Sequence, residues 1–212
     1  MKRVLLLVMI SLFIFGVSGC MRNESGSNEL TNKITTAEDY LSSKYGEVFS
    51  FVSYGDDVWS SKSKSSIYSD NNGQNFTVKE NNGYFTDNYC SILFDASASE
   101  SINAFFEDNT KVFVNTQSVF FPSTKKFDNT SDYLKDCSVI NVAIYTTQVE
   151  HYEEISKLLM NAMSDCTVST VVYCVDVQDF INITEFKSTA NVLTSGSFWI
   201  ENNEVSSKSW EE

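Results

Sequence analysis

The sequence predicts an α+β fold: an N-terminal helix and an antiparallel meander, then a βαβ-containing half and a C-terminal hairpin. Three observations predict it. Asn-Gly pairs at 72–73 and 82–83 interrupt short strand-like runs in the first half, the usual signal of tight hairpin turns. Two runs apolar on both faces, 138–145 and 167–175, flank an amphipathic stretch at 149–163, the pattern of a strand, a helix and a parallel strand. Phe198, Trp199 and Ile200 lead into Glu201-Asn202-Asn203-Glu204, which reads as a hairpin over 194–205.

The first twenty residues stand apart. Lys2 and Arg3 precede Val4 to Phe15, twelve residues of which Ser11 alone is polar. As a helix they would span about 18 Å at ~1.5 Å per residue, short of a hydrocarbon core of about 30 Å. A basic start, a short apolar run and small residues at its end describe an export signal. Val17-Ser18-Gly19-Cys20 then places an aliphatic and two small residues before a cysteine. This ending resembles the lipobox of bacterial lipoproteins. The resemblance implies that a diacylglyceryl group is attached to the Cys20 thiol and that the chain is cleaved just before Cys20. Met21 to Lys33 contains Asn, Ser, Glu and Gly and almost nothing apolar and reads as a tether reaching about 20 Å. The expected organisation is a signal peptide at 1–19, a flexible tether at 20–33 and a globular domain at 34–212, with 34–109 and 110–212 as candidate sub-domains.

Within that domain, Thr35 with Glu38 and Thr36 with Asp39 form two overlapping capping boxes. Ala37, Tyr40, Leu41 and Tyr45 fall on one face of the helix they open, and Gly46 supplies its C-terminal cap. Strands follow at 48–54, 74–79 and 84–94. Asp70-Asn71-Asn72-Gly73 reads as a turn, not a calcium loop, because glycine comes fourth instead of sixth and no acidic twelfth ligand follows. A second helix is expected from Ser97, boxed with Glu100, burying Ile102, Phe105 and Phe106. A strand at 111–115 precedes the βαβ unit, whose helix carries Tyr152, Ile155, Leu158, Leu159 and Ala162 along one stripe.

Charge limits the functional classes. Without Lys2 and Arg3 the chain keeps 13 basic residues against 28 acidic ones, a net charge of −15. Such a surface suits neither nucleic-acid phosphates nor anionic headgroups, so acyl chains would hold the protein at the membrane. No nucleic-acid partner and no cofactor is expected. With one histidine, His151, and no C-x-x-C spacing among Cys90, Cys137, Cys166 and Cys174, no metal site is expected. His151, beside Glu150, Glu153 and Glu154, reads as a surface helix residue. Nucleophile-elbow and phosphate-loop motifs do not occur. Asp56-Asp57 and Asp176 with Asp179 are candidate acid/base pairs, the minimum that glycoside hydrolysis needs, although pairs arise by chance in so acidic a chain. Trp59, in the polar stretch 56–66, is the candidate stacking platform for a ligand, while Trp199 reads as packed. Cys137 and Cys166 precede two strands expected to be parallel neighbours, which makes them the candidate disulfide.

Ala37-Glu38-Asp39-Tyr40-Leu41, Lys44-Tyr45-Gly46, Phe49, Asp87-Asn88-Tyr89 and Ile140-Asn141-Val142-Ala143-Ile144 resemble a loose group of surface lipoproteins of low-GC Gram-positive bacteria. That resemblance implies the structural class and no chemistry. Two functional readings follow from the sequence: a lipid-anchored binding or interaction module on the outer face of the cell membrane, its protein or small-molecule partner unknown, and, alternatively, an extracytoplasmic hydrolase with a carboxylate site.

Overall fold

The computed structural model describes residues 36–55, 63–148, 152–186 and 190–211. Helix α1 (Ala37–Tyr45) begins where the Thr36 side chain accepts the Asp39 N–H at 3.1 Å. It ends at Gly46, whose φ of 73° lets its N–H return to the Ser42 carbonyl. Of the two overlapping capping boxes, Thr36 provides the cap. Glu38 turns to the first sheet, accepting the Tyr68 hydroxyl at 2.6 Å, a bond that holds its carboxyl below the ordinary value.

That sheet contains β1 (Ser50–Tyr54), β2 (Ser63–Ser69), β3 (Asn75–Asn81), β4 (Tyr84–Asp87) and β6 (Phe121–Pro122), in that order and all antiparallel. Asn82 and Gly83 take φ of 52° and 81° in the two-residue β3–β4 turn, the left-handed pair whose twist matches that of the strands. Asp70 closes the β2–β3 turn by accepting the Asn72 and Gln74 N–H groups on Oδ1. Residues 63–66, expected in a polar loop, belong to β2. Tyr68, Phe76, Val78 and Phe85 bury one face of the sheet under Tyr40 and Leu41 of α1.

The expected strand at 84–94 stops at Asp87. Helix α2 (Tyr89–Asn103) follows, eight residues earlier than the Ser97 start expected from the sequence. The apolar run Cys90 to Phe94 has no period that separates strand from helix, and tertiary packing decides it. Cys90, Ala98 and Ile102 enter the main core, whereas Phe105 is half-exposed. After β5 (Thr110–Asn115) and β6, helix α3 (Thr130–Asp136) is capped by Asn129, which accepts the Asp132 N–H.

The second sheet runs β10-β9-β8-β7-β5. Strands β7 (Ile140–Thr146) and β8 (Val168–Val175) are parallel neighbours, Ile140 opposite Val168, joined through α4 (Tyr152–Ala162) as expected. The other pairs are antiparallel, including the terminal hairpin of β9 (Val192–Glu201) and β10 (Glu204–Glu211). One face, with Val112, Val142, Ile144, Val168 and Ile200, packs with Ile155, Leu159 and Tyr133. The other carries Ala143, Tyr145 and Val175 and is covered by Phe180 at the end of short helix α5 (Val177–Phe180) and by Ile183 and Phe186 from the connection that follows it. Both sheet faces are therefore buried, but the second by a loop. Residues 34–212 form one unit. A cut at 109/110 would separate β6 from the sheet it joins and α2 from β5.

Strand β5 is an edge strand, and unpaired edges invite association. Here α2 closes the edge with side chains. Asn103 Oδ1 accepts the Val112 N–H at 3.0 Å, Ser99 Oγ the Val114 N–H at 2.8 Å and Asp95 Oδ2 the Thr116 N–H at 2.9 Å. Four helical residues rise about 6 Å and two strand residues about 6.6 Å, so acceptors spaced by four on α2 meet donors spaced by two along β5 and the residue just after it.

Candidate functional site

The last rung of that ladder opens onto a cleft of about 390 Å³. Ser91, Ile92, Asp95 and Ala96 of α2 form one wall. Val114, Asn115 and Gln117, at and just beyond the end of β5, form the floor, and Gln74 of the β2–β3 turn approaches from the first sheet. Glu185 and Phe186 complete it. The size falls within the range of small-molecule sites, about 300–1,000 Å³.

Several lining groups are held by partners outside the cleft. The Asn88 side chain accepts the Thr77 N–H and donates to the Gln117 carbonyl, both at 2.7 Å. Tyr145 donates its hydroxyl to the Phe186 carbonyl at 3.0 Å. The Lys111 ammonium reaches the carbonyls of Phe180 at 2.8 Å, Ile183 at 2.9 Å and Ile181 at 3.3 Å, which ties the loop carrying Glu185 to β5. A lysine at the end of α5 also suits the unpaired carbonyls there.

Asp95 is the chemically distinctive group. Burial pushes its carboxyl up to about 6, partly offset by the two bonds from Thr116. A carboxyl raised by burial in a cleft marks a candidate functional position. Beyond Thr116 lies Tyr133, whose hydroxyl meets Thr116 Oγ1. Because the Thr116 hydroxyl hydrogen goes to Asp95 Oδ1 at 2.6 Å, Tyr133 is the donor in that contact.

A second, smaller cavity of about 210 Å³ has Ile102, Phe105, Leu134, Met163 and Cys166 among its lining, with Lys135. It brings together no pair of carboxylates.

Most sequence candidates lie elsewhere. Cys20, Asp56-Asp57, Trp59 and His151 fall outside the described residues. Asp176 caps α5 by accepting the Gln178 N–H, and Asp179 accepts the Asn191 N–H, so this pair secures local backbone and does not line the cleft. Trp199 is half-buried on β9, on the face opposite Phe198 and Ile200. The Cys137–Cys166 bridge is not formed. Both are buried free thiols, as are Cys90 and Cys174. Cys166 Sγ turns to the Ser164 carbonyl at 3.8 Å, and Cys137, three residues before Ile140, is offset by one from Cys166, two before Val168. Among the described residues no group of three or more His, Cys, Asp or Glu side chains could hold a metal ion, and no helix is long and apolar enough to cross a membrane.

The sequence reading missed Asp95 and Glu185. The available signal was the polar stripe Asp95, Ser99, Asn103 at period four, hidden by placing the helix start at Ser97.

No protein-family model and no curated protein matches the chain. Among solved structures it is similar to a DUF5037 family protein from Ruminococcus gnavus ATCC 29149, at 14% identity over 84% of this chain and 95% of that one, with a TM-score of 0.42. At that level the likeness carries no argument about function.

Proposed function

We propose that the chain is a lipid-anchored extracytoplasmic protein of the cell membrane, held through Cys20, whose cleft beside the β5 edge binds a small polar molecule. The observation that carries the binding reading is Asp95, a partly buried carboxylate fixed by Thr116 in a cleft whose lining also includes Gln74, Asn115, Gln117 and Phe186. The lipobox-like Val17 to Cys20 supports the anchor.

The hydrolase reading draws support from one feature: Asp95 and Glu185 line the same cleft, and a raised carboxyl suits a general acid. Against it, both Asp95 oxygens already accept from Thr116, so binding is the better reading.

Two measurements test the proposal. Cys20→Ala should abolish labelling by a fatty-acid precursor, and high-salt washing should leave the native protein on membranes. Retained label in the variant, or release by salt alone, overturns the anchor. For the cleft, a thermal-shift survey of small polar compounds should find ligands whose effect disappears in Ala96→Trp, which fills the cavity. Compounds that stabilise both proteins equally would place binding elsewhere. Turnover of a glycoside or ester that Asp95→Asn abolishes would favour the hydrolase.

A further inference from the structure

The chain carries two aspartates in contrasting surroundings. Asp87 is fully buried, and the Lys44 ammonium meets it at 2.7 Å. Asp95 is partly buried, and among the described residues its carboxylate is met only by the neutral N–H and hydroxyl of Thr116. Among the described residues no cation pairs with it. A carboxylate partly withdrawn from water without a countercharge is destabilised, and this one lines a cavity instead of solid packing.

The rest of the lining has the same sense. Glu185, itself exposed, brings a second carboxylate residue to the lining, and the described lining includes no Lys, Arg or His. Carboxylates attract cations, and amide oxygens such as those of Gln74, Asn115 and Gln117 are acceptors suited to ammonium N–H groups. The chain already binds an ammonium in a related way: Lys111 sits among three carbonyls with the Phe180 ring 4.8 Å away.

Resting on the reading of this cleft as a binding site, we infer that its ligand is a small organic cation, an aliphatic amine whose ammonium lies against Asp95 with Glu185 at the same site. The amine supplies the missing countercharge, and the cleft volume accommodates a short chain or small ring carrying it. An anion would meet two carboxylates, and a neutral polyol would leave Asp95 uncompensated.

A strongly acidic chain also attracts amines non-specifically, so the test needs saturable binding at about 0.15 M salt, where the screening length is near 8 Å. Calorimetry on the mature chain in detergent would compare butane-1,4-diamine with butane-1,4-diol and succinate. The diamine should bind one to one and the other two should not. Glu185→Gln, which leaves the β5 ladder intact, should weaken the diamine about fivefold or more, corresponding to roughly 1 kcal/mol. Asp95→Asn should weaken it further, and Ala96→Trp should abolish it. Diol binding that Ala96→Trp removes and Glu185→Gln does not affect would overturn the cation and keep the cleft. Diamine binding insensitive to Ala96→Trp would assign it to the general acidic surface and also overturn the inference. If none of the three binds, the inference falls, while the cleft reading stands or falls by the wider thermal-shift survey.

Discussion

Asp95 and Thr116 are joined twice: the Thr116 N–H reaches Oδ2 at 2.9 Å and its hydroxyl reaches Oδ1 at 2.6 Å. One carboxylate thereby ends the exposed edge of β5, fixes the start of the segment bearing Gln117 and lines the cleft. The fold and the candidate site share this residue.

That sharing makes stability depend on pH. The Asp95 carboxyl is raised to about 6 in the folded chain by burial, against about 3.9 when unfolded. The folded state binds the proton more tightly, so this contribution is fully present below about pH 4 and is lost as pH rises through about 6. Glu185 faces the same cleft, and Tyr133 and Cys137 from the α3 side interact with Asp95. Urea unfolding between pH 4 and 7.5 should show Asp95→Asn removing about 1–2 kcal/mol of the decline, a figure discounted for partial exposure. Parallel wild-type and variant curves would refute the assignment to Asp95.

Lys44 and Asp87 form a buried pair whose side chains are both 0% exposed. The ammonium contacts Asp87, the Phe121 carbonyl and the Tyr40 hydroxyl, and Asp87 also accepts from Tyr40, Tyr45 and the Tyr89 N–H. Lys44→Met should cost about 3–5 kcal/mol because it leaves an uncompensated carboxylate. Adding Asp87→Asn should restore part of that loss, since no buried charge remains. A double variant less stable than Lys44→Met by denaturant unfolding would contradict this account.

Thr170 of β8 faces the core at 1% exposure, and its Oγ1 has no hydrogen-bond partner among the described residues. Its neighbours on that face include Val168 and Val172. Thr170→Val keeps the shape and removes the unsatisfied hydroxyl, so it should stabilise the fold by about 1 kcal/mol. A lower melting temperature would show that the hydroxyl has a partner.

The four thiols Cys90, Cys137, Cys166 and Cys174 are buried. Burial raises all four, Cys137 to about 12. Thiolate is the reacting form, so iodoacetamide at pH 8 should leave all four unmodified in the native protein and label all four in denaturant. Mass spectrometry reads the difference. A pair that resists labelling in denaturant until a reductant is added would reveal a disulfide.

Elements whose evidence is local were legible along the chain. Asn82-Gly83 specified a hairpin because both positions need left-handed φ, and the stripe containing Ile155 and Leu159 specified α4 between β7 and β8. The α+β class followed from these. Packing settled the run Cys90 to Phe94, whose side chains suit either period until they meet the core. It also decided every long-range polar contact: Lys44 with Asp87 across 43 positions, and Asp95 with Thr116 across 21. The cleft draws its lining from Gln74 to Phe186, and periodicity extends only a few turns along one element. Which polar groups meet across such separations depends on how helices and sheets pack, because burying apolar faces brings distant segments together and leaves their polar groups to pair where they land.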